Sequence, residues 1–299
     1  MICHFVRAID EEKIEYPLYG KPIEITDAPY TAAIYVLEFY ECLGSYIKEY
    51  WILTSGYCIV TRVAKDVTVV MGTNKINDIA QKRNVTRLIV HPGYVAVPLK
   101  NDIGILWIES PFKIGKSVKI IPIGNKPLNI KQTCFLVGWG LGVNRSNDLF
   151  YDTEPILLRK VEIQPIETKQ CKKSLKKELE RYGKDLIDEK VFCAKGNACI
   201  EDIGAALICE DTQVGIASMI IRECGNGAPS LYSNLFEFKP WIDVSSIPEL
   251  AGASGCLLGS SKYSVYFLTS IVHVVAASSM LFPSAKPWAS ANSVYGCAQ

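Results

Sequence analysis

The chain has 299 residues, 49% of them hydrophobic and 21% charged, and its 32 Lys and Arg nearly balance its 31 Asp and Glu. The formal net charge of +1 argues against a nucleic-acid-binding protein and a polybasic membrane protein, since both depend on a basic surplus. The 21 Gly and 15 Pro follow no short period, which excludes collagen-like, coiled-coil and disordered classes. A globular protein of one large domain or two small ones remains.

The predicted elements begin after a turn-rich start. Proline and glycine recur through residues 1–29, which are predicted to be irregular, and residues 1–16 are assigned to an N-terminal arm. From Tyr30 onward, short β-branched and aromatic runs recur about every 10 residues, as in all-β barrels. The predicted strands are residues 31–39, 51–54, 66–71, 87–91, 103–108, 133–139, 157–163, 205–209 and 214–220.

Residues 168–186 have a different pattern, with apolar residues at steps of three and four. This spacing predicts one amphipathic helix. The residues on its apolar side are Cys171, Leu175, Leu179, Tyr182 and Leu186. Its lysines (169, 172, 173, 176 and 177) are able to contact a polyanion, but a solvated face balanced by Glu178 and Glu180 is the preferred interpretation.

The composition changes after Trp241. Residues 251–299 are rich in Ser and Ala, with Lys262 and Lys286 as their only charged residues. The uncharged stretch 264–282 is marginally long enough to span a bilayer, but His273 and five Ser or Thr residues weaken insertion. We assign residues 251–299 to a tail of unknown role, with a membrane anchor as the less favoured alternative.

Eight of the 11 cysteines lie between residues 42 and 224, and none forms a CxxC pair. A zinc site is therefore not predicted, and no metal or cofactor is expected. Scattered cysteines beside strand-like runs favour a disulfide framework from an oxidising compartment. Asn84 and Asn144 lie in glycosylation sequons. Residues 1–7 are too short for a signal-peptide core, so secretion is predicted on the assumption of a missing upstream signal.

Six ordered motifs between residues 17 and 247 resemble those of the chymotrypsin-like serine proteases. They are C-L-G-S at 42–45, W-I-L-T-S-G-Y-C at 51–58, N-D-I-G-I-L at 101–106, C…V-G-W-G at 134–140, C-I-E-D-I-G-A-A-L-I-C at 199–209 and P-W-I at 240–242. The resemblance implies an all-β fold of two packed six-stranded antiparallel barrels, with a C-terminal helix near residues 236–244. It places the protease-like domain at residues 17–250.

The resemblance also implies four disulfides. They are Cys42–Cys58, Cys134–Cys209, Cys171–Cys193 and Cys199–Cys224. Cys3, Cys256 and Cys297 are left over, so at least one of the three is free or bonded to another chain.

The catalytic positions implied by the resemblance are mostly substituted. Asp102 occupies the aspartate position, but Tyr57 occupies the histidine position and Ile203 the serine position. A phenol is a poor proton acceptor near neutral pH, and a hydrocarbon side chain has no nucleophilic atom. His4, His91 and His273 are the available histidines, and His91 is expected to be structural.

Other positions implied by the family also differ. Glu201 replaces the oxyanion-hole glycine, so a carboxylate stands where negative charge would develop. The specificity-pocket positions hold Asn197, Ser218, Ile220 and Ser230, and branched Ile220 is expected to narrow the pocket entrance. Asp202 is retained, and residues 16–20 offer no basic cleavage site for activation. Asp202 is therefore expected either to find a donor other than a new N-terminus or to stay in a zymogen-like loop.

We therefore predict a non-catalytic secreted homologue that acts by binding protein as a cofactor, decoy or scaffold. Its expected partner is an active protease, a protease substrate or an inhibitor, and nucleic acid is not expected. The alternative is a serine-type endopeptidase with residual or rewired activity, for which Ser55 and Tyr57 are the nearest nucleophile candidates. A decayed or misassembled reading frame is the third interpretation, opposed by the intact barrel motifs.

Overall fold

The computed structural model describes residues 20–140, 157–199, 202–220 and 228–245. The strands are β1 (Lys21–Pro22), β2 (Thr31–Val36), β3 (Phe39–Lys48), β4 (Trp51–Thr54), β5 (Val67–Met71), β6 (Gln81–Val90), β7 (Val95–Ala96), β8 (Leu99–Lys100), β9 (Gly104–Ile108), β10 (Cys134–Gly138), β11 (Arg159–Ile166), β12 (Val191–Gly196), β13 (Ala206–Cys209), β14 (Thr212–Met219) and β15 (Ser230–Asn234). The helices are α1 (Thr168–Ser174), α2 (Lys176–Tyr182) and α3 (Leu235–Ser245).

The first barrel closes through antiparallel strands in the order β2-β3-β4-β9-β6-β5. Its interior is filled by aliphatic side chains from alternating strand positions, among them Ile34, Ile52, Val69 and Leu106. Apolar residues at every second position of a strand share one face, so closing the sheet buries all of them together.

The start of this barrel corrects one sequence prediction. Residues 31–39 were predicted as a single strand, but the chain reverses between β2 and β3. Leu37 and Glu38 both have positive φ (50° and 68°), the conformation of a tight two-residue hairpin turn. Neither residue is the glycine or asparagine that usually announces such a turn, so the sequence hid the reversal.

The second barrel closes in the order β11-β10-β13-β14-β15-β12, with β12 pairing back onto β11 and short β1 added at the outer edge of β11. Trp139, Leu136, Leu207 and Tyr232 are buried in its core cluster. The prediction of two six-stranded antiparallel barrels is confirmed.

Helix α3 confirms the predicted C-terminal helix. Phe238 and Ile242 on its buried side share a hydrophobic cluster with Ile89 and Ile105 of the first barrel and Ile216 of the second. This helix therefore joins the outer surfaces of the two barrels. Among the described residues, none of the helices is both long and apolar enough to cross a membrane.

The predicted single helix over residues 168–186 is interrupted. It forms α1 and α2, which meet at Leu175 (φ −104°, ψ 25°), and α2 ends at Gly183 with φ 118°. The apolar spacing was nevertheless right, because Cys171, Leu175 and Leu179 are buried and packed in one cluster.

Three of the predicted disulfides are present. They are Cys42–Cys58, Cys134–Cys209 and Cys171–Cys193. Cys199 is also disulfide-bonded, and its predicted partner Cys224 lies outside the described residues. A native disulfide in a secreted domain typically contributes about 2–4 kcal/mol of stability.

Internal contacts divide the chain into Met1–Ala253 and Ser254–Gln299. The second unit lies entirely outside the described residues, as does the predicted arm at 1–16. The predicted domain boundaries therefore stay predictions. Other predictions on undescribed residues concern His4, His273, Asn144, Cys3, Cys256, Cys297 and the stretch 264–282.

Candidate active-site cleft

Asp102 lies between the two barrels, just before β9, and is 3% exposed. The Ser55 hydroxyl, at the end of β4, lies 2.7 Å from both oxygens of the Asp102 carboxylate and donates to it. The Ser218 hydroxyl donates to Oδ2 from the second barrel at 2.6 Å. The backbone N–H of Tyr57 donates to Oδ1 at 2.7 Å. The carboxylate is thus held from both barrels by groups that cannot accept a proton from a nucleophile.

Two opposing effects act on the pKa of Asp102. Burial raises the pKa above the ordinary value, because a charged carboxylate loses hydration in the interior. The hydrogen bonds from Ser218, Ser55 and the backbone of Tyr57 lower it, because they stabilise the charged form. Burial is the larger effect, so removing any of these donors would raise the pKa further.

Tyr57 is exposed, in contrast to the buried carboxylate of Asp102. Its side chain is 56% exposed, and its ring lines the cleft. The hydrogen bond between Tyr57 and Asp102 runs through the Tyr57 backbone. The phenol therefore stands at the cleft surface instead of bridging Asp102 to residue 203.

Ile203 lies in a tight loop between β12 and β13. Its side chain is partly buried and packs against the core clusters of both barrels. Its backbone oxygen accepts a hydrogen bond from the N–H of Leu43 at 3.0 Å, and the N–H of Gly204 donates to Ala217 at 2.8 Å. Gly204 has φ +88°, and a Cβ there would collide with the backbone oxygen of Leu43. The loop backbone is thus anchored to both barrels.

Asp202 is the second buried carboxylate beneath the cleft. Its Oδ2 accepts a hydrogen bond from the N–H of Cys199 at 2.8 Å, and its Oδ1 accepts one from the N–H of Gly140 at 3.3 Å. A Cβ at Gly138 would collide with Oδ1 of Asp202, so a glycine is required at that strand position. Backbone N–H groups are therefore among the donors to Asp202, and the prediction about a new N-terminus concerns residues outside the described ones.

The four predicted specificity-pocket residues lie on different elements. Ser218 and Ile220 line the cleft cavity described below. Ser230 is buried on β15, where it pairs with Ala194 of β12, and Asn197 is partly buried after β12. Glu201, the predicted oxyanion-hole position, lies outside the described residues, as do residues 221–227. The narrowing by Ile220 stays a prediction.

A cavity of about 710 Å³ opens beside Tyr57 and Ile203. Its walls come from the β7–β8 hairpin, from α2 and from the end of β14. Of these wall residues, those on the hairpin and on α2, which include Leu99 and Tyr182, were not predicted from the sequence to belong to the site. The apolar spacing of residues 168–186 predicted which side of the helix would be buried. It did not predict which of the remaining sides would border the cleft.

His91 is the only one of the three histidines within the described residues. Its ring packs against Phe238 and Trp241, with centroid distances of 5.5 and 5.2 Å, and its Nδ1 accepts the N–H of Gly93 at 3.0 Å. Burial, and to a lesser degree Lys190, lower the pKa of His91 from 6.5 to about 4. These contacts give His91 a packing role against α3.

Asn84 is exposed on β6, and its side-chain amide donates to Glu109 at 3.0 Å. Glycosylation at this residue stays a prediction. Within the described residues, no group of three or more His, Cys, Asp or Glu is arranged to hold a metal ion.

Comparison with known proteins places this cleft in a family. The family model described as trypsin matches residues 18–242. Human kallikrein-7 is 26% identical over 231 residues, covering 75% of this chain and 85% of the relative. Trypsin iota of Drosophila melanogaster is 26% identical over 238 residues, covering 79% of this chain and 90% of the relative.

Solved structures agree on the fold. The scabies mite inactivated protease paralogue S-D1 has a TM-score of 0.66 at 21% identity, covering 76% of this chain and 95% of the other. Mouse neuropsin, a serine protease, has a TM-score of 0.64 at 23% identity, covering 75% and 97%. At 21% and 23% identity, the likeness between this chain and these two structures concerns the fold alone.

Proposed function

The chain belongs to the trypsin-like serine protease family, and from that premise we propose that it is a non-catalytic member that acts by binding another protein. The observation that carries the proposal is the pair of side chains at the two reacting positions. Tyr57 occupies the position of the histidine base, and Ile203 occupies the position of the nucleophilic serine.

The surroundings of Asp102 support the loss of the base. In the family mechanism this carboxylate orients a histidine that takes the serine proton. Here the hydroxyls of Ser55 and Ser218 donate to the carboxylate, and the Tyr57 side chain points into the open cleft. His91, the described histidine, packs against α3. The packing of His91 against α3 supports the absence of a histidine base in the cleft.

The nucleophile is lost as well. Ile203 has a hydrocarbon side chain, and its backbone is anchored by Leu43 and the neighbouring Gly204. Removing the base and the nucleophile of a serine protease costs on the order of 10⁶ in kcat, and removing both costs about as much as removing one. Residual catalysis by the family mechanism would therefore be on the order of a million-fold below that of an active member.

The scaffold supports a binding role. Three disulfides, the donors to Asp202 and the constraint at Gly204 all hold the loops around the cleft in place. A binding surface requires stable loops but does not require a catalytic triad. In the proposed function, the protein is secreted and acts as a cofactor, decoy or scaffold toward an active protease, its substrate or its inhibitor.

One observation favours the alternative, a rewired serine-type endopeptidase. Ser55 Oγ lies 2.7 Å from a carboxylate, an arrangement in which a carboxylate base could activate a hydroxyl. However, Ser55 is 0% exposed, so a peptide carbonyl has no access to its hydroxyl. Peptide hydrolysis by such a rewired site is therefore one outcome that the following test can detect.

The test measures peptide turnover by the full chain. The protein, expressed under oxidising conditions, is incubated with a diverse peptide library whose products are identified by mass spectrometry. Ser55→Ala and Tyr57→Phe variants, which remove the two candidate hydroxyls, are assayed in parallel. We expect none of the three proteins to yield products above the buffer background. Turnover that is lost in either variant would overturn the proposal and identify the replacement nucleophile.

A further inference from the structure

The cavity beside Tyr57 has an apolar floor and an open mouth. Val97, Leu99 and Met219 supply aliphatic surface, and the rings of Tyr57 and Tyr182 supply aromatic surface. Val97 is 72% exposed and Tyr57 is 56% exposed, so large apolar side chains face solvent at its rim. A pocket of this size with exposed apolar walls favours an apolar side chain of a ligand, because filling it removes both surfaces from water.

One wall of the cavity carries a net positive charge. Lys177 and Arg181, both exposed on α2, line the cavity together with Glu178. Residues 168–184 carry seven Lys or Arg and two Glu, a net charge of +5 against +1 for the whole chain. The segment that contains α2, the helix bordering the cavity, thus carries more positive charge than the chain as a whole.

These two features point to one class of ligand. We propose that the cavity binds an acidic polypeptide segment, with one apolar side chain seated between Val97, Met219 and the tyrosine rings. Carboxylates flanking that side chain lie against Lys177 and Arg181. The proposal rests on the proposed function, since the bound segment is held and left uncleaved.

The apolar floor favours a polypeptide over other polyanions. A sulfated polysaccharide would use the lysines of α1 and α2 but has no side chain to fill the cavity. A nucleic acid requires a longer run of cationic surface than the two cations in this cavity wall supply. Acidic polypeptide is the ligand that uses the basic wall and the apolar floor together. Sulfated polysaccharide and nucleic acid become outcomes of the test.

The experiment uses fluorescent pentapeptides and the full chain. The central residue is Phe or Ser, and the flanking residues are all Glu, all Gln or all Lys. Binding is measured by fluorescence anisotropy at two salt concentrations, with a heparin oligosaccharide and an oligothymidine as competitors. The peptides are then examined by mass spectrometry for cleavage.

Two charge-reversal variants separate the cavity from the rest of the helices. Lys177→Glu with Arg181→Glu reverses the charges that line the cavity. Lys169→Glu with Lys172→Glu makes the same change in charge on α1, where both lysines are exposed and outside the cavity lining. Circular dichroism and melting temperatures check that both variants fold.

We expect the peptide with Phe between Glu flanks to bind tighter than every other peptide. Reversal at 177 and 181 should weaken that binding by about tenfold, as expected for two surface charge pairs, and reversal at 169 and 172 by less than about threefold. Equal binding of Lys-flanked peptides, equal effects of the two variants, absence of peptide binding, or binding of heparin or oligothymidine alone would each overturn the proposal. Cleaved peptides would instead overturn the proposed function, whatever the binding preference.

Discussion

The layer beneath the cleft differs sharply from the cleft surface. In the buried layer, Asp102 and Asp202 each accept hydrogen bonds from neighbouring groups. At the surface, Tyr57 and Ile203 line the cleft, and they are the residues that we propose stand in place of the family's base and nucleophile. The buried layer meets a requirement of folding, whereas under the proposed function the surface side chains lack the groups that the family's chemistry needs.

The difference follows from what each layer must satisfy. A buried carboxylate without donors is costly to the folded state, so Asp102 needs partners whether or not catalysis occurs. Ser55 and Ser218 are such partners, because each hydroxyl donates directly to the carboxylate. An exposed side chain at the cleft surface, such as that of Tyr57, has no comparable demand from folding. The comparison predicts large effects of substitutions below the cleft and small ones at its surface.

The largest effect is expected at Gly204. A Cβ there would collide with the oxygen of Leu43, and φ is +88°. Gly204→Ala should lower the free energy of unfolding by at least about 3 kcal/mol. The control is Gly115→Ala, since a Cβ at Gly115 meets nothing within 4 Å. Denaturant unfolding measures both, and equal effects of the two changes would contradict the description of the loop.

The second-largest effect on the free energy of unfolding is expected at Ser55. Ser55→Ala removes a donor from the buried carboxylate of Asp102 and should lower the unfolding free energy by about 1–3 kcal/mol. The same change made in an Asp102→Asn background should cost less, because the charge that Ser55 stabilises is gone. A double-mutant cycle measures the difference. An unchanged cost in that background would show that Ser55 acts independently of Asp102.

His91 should make stability depend on pH. Its pKa in the folded protein is lowered from 6.5 to about 4, so between these values the unfolded chain binds more protons. The stabilisation is complete above about pH 6.5 and is lost as the pH falls toward about 4. The unfolding free energy of the wild type should therefore fall faster with acidification than that of His91→Asn. Parallel pH profiles of the two proteins would contradict the burial of a neutral imidazole.

The smallest effect is expected at the cleft surface. Tyr57 is 56% exposed, and the hydrogen bond to Asp102 uses its backbone N–H. Tyr57→Ala should therefore change the unfolding free energy by no more than about 0.5 kcal/mol. A loss comparable to that of Ser55→Ala, measured in the same denaturant series, would remove the distinction between the two layers.

Much of the fold was predictable from the ordered motifs and cysteines, because each marks a fixed place in a known architecture. Individual strands were harder to predict. β3, β12 and β15 were missed, since Glu, Gly, Lys and Ser interrupt their apolar pattern and long-range pairing decides their structure. The helix break at Leu175 was missed for a similar reason, as the apolar spacing continues through it.

The site was predictable only by position. The motifs placed Tyr57, Asp102 and Ile203 along the chain, but not the direction in which each side chain points. The approach of Ser55 and Ser218 to one carboxylate depends on how the two barrels pack. The basic wall of the cavity likewise depends on where α2 lies against the β7–β8 hairpin. Such contacts between distant segments leave no local signal in the sequence.

The most direct test of the central claim, that the cleft has no nucleophile, is the intact mass of the full chain after treatment with a fluorophosphonate, a probe that labels activated serines. Active trypsin under the same conditions serves as the positive control. The account predicts an unchanged mass for this chain and complete labelling of trypsin. Stoichiometric labelling that peptide mapping assigns to Ser55 or to another residue of the chain would contradict it.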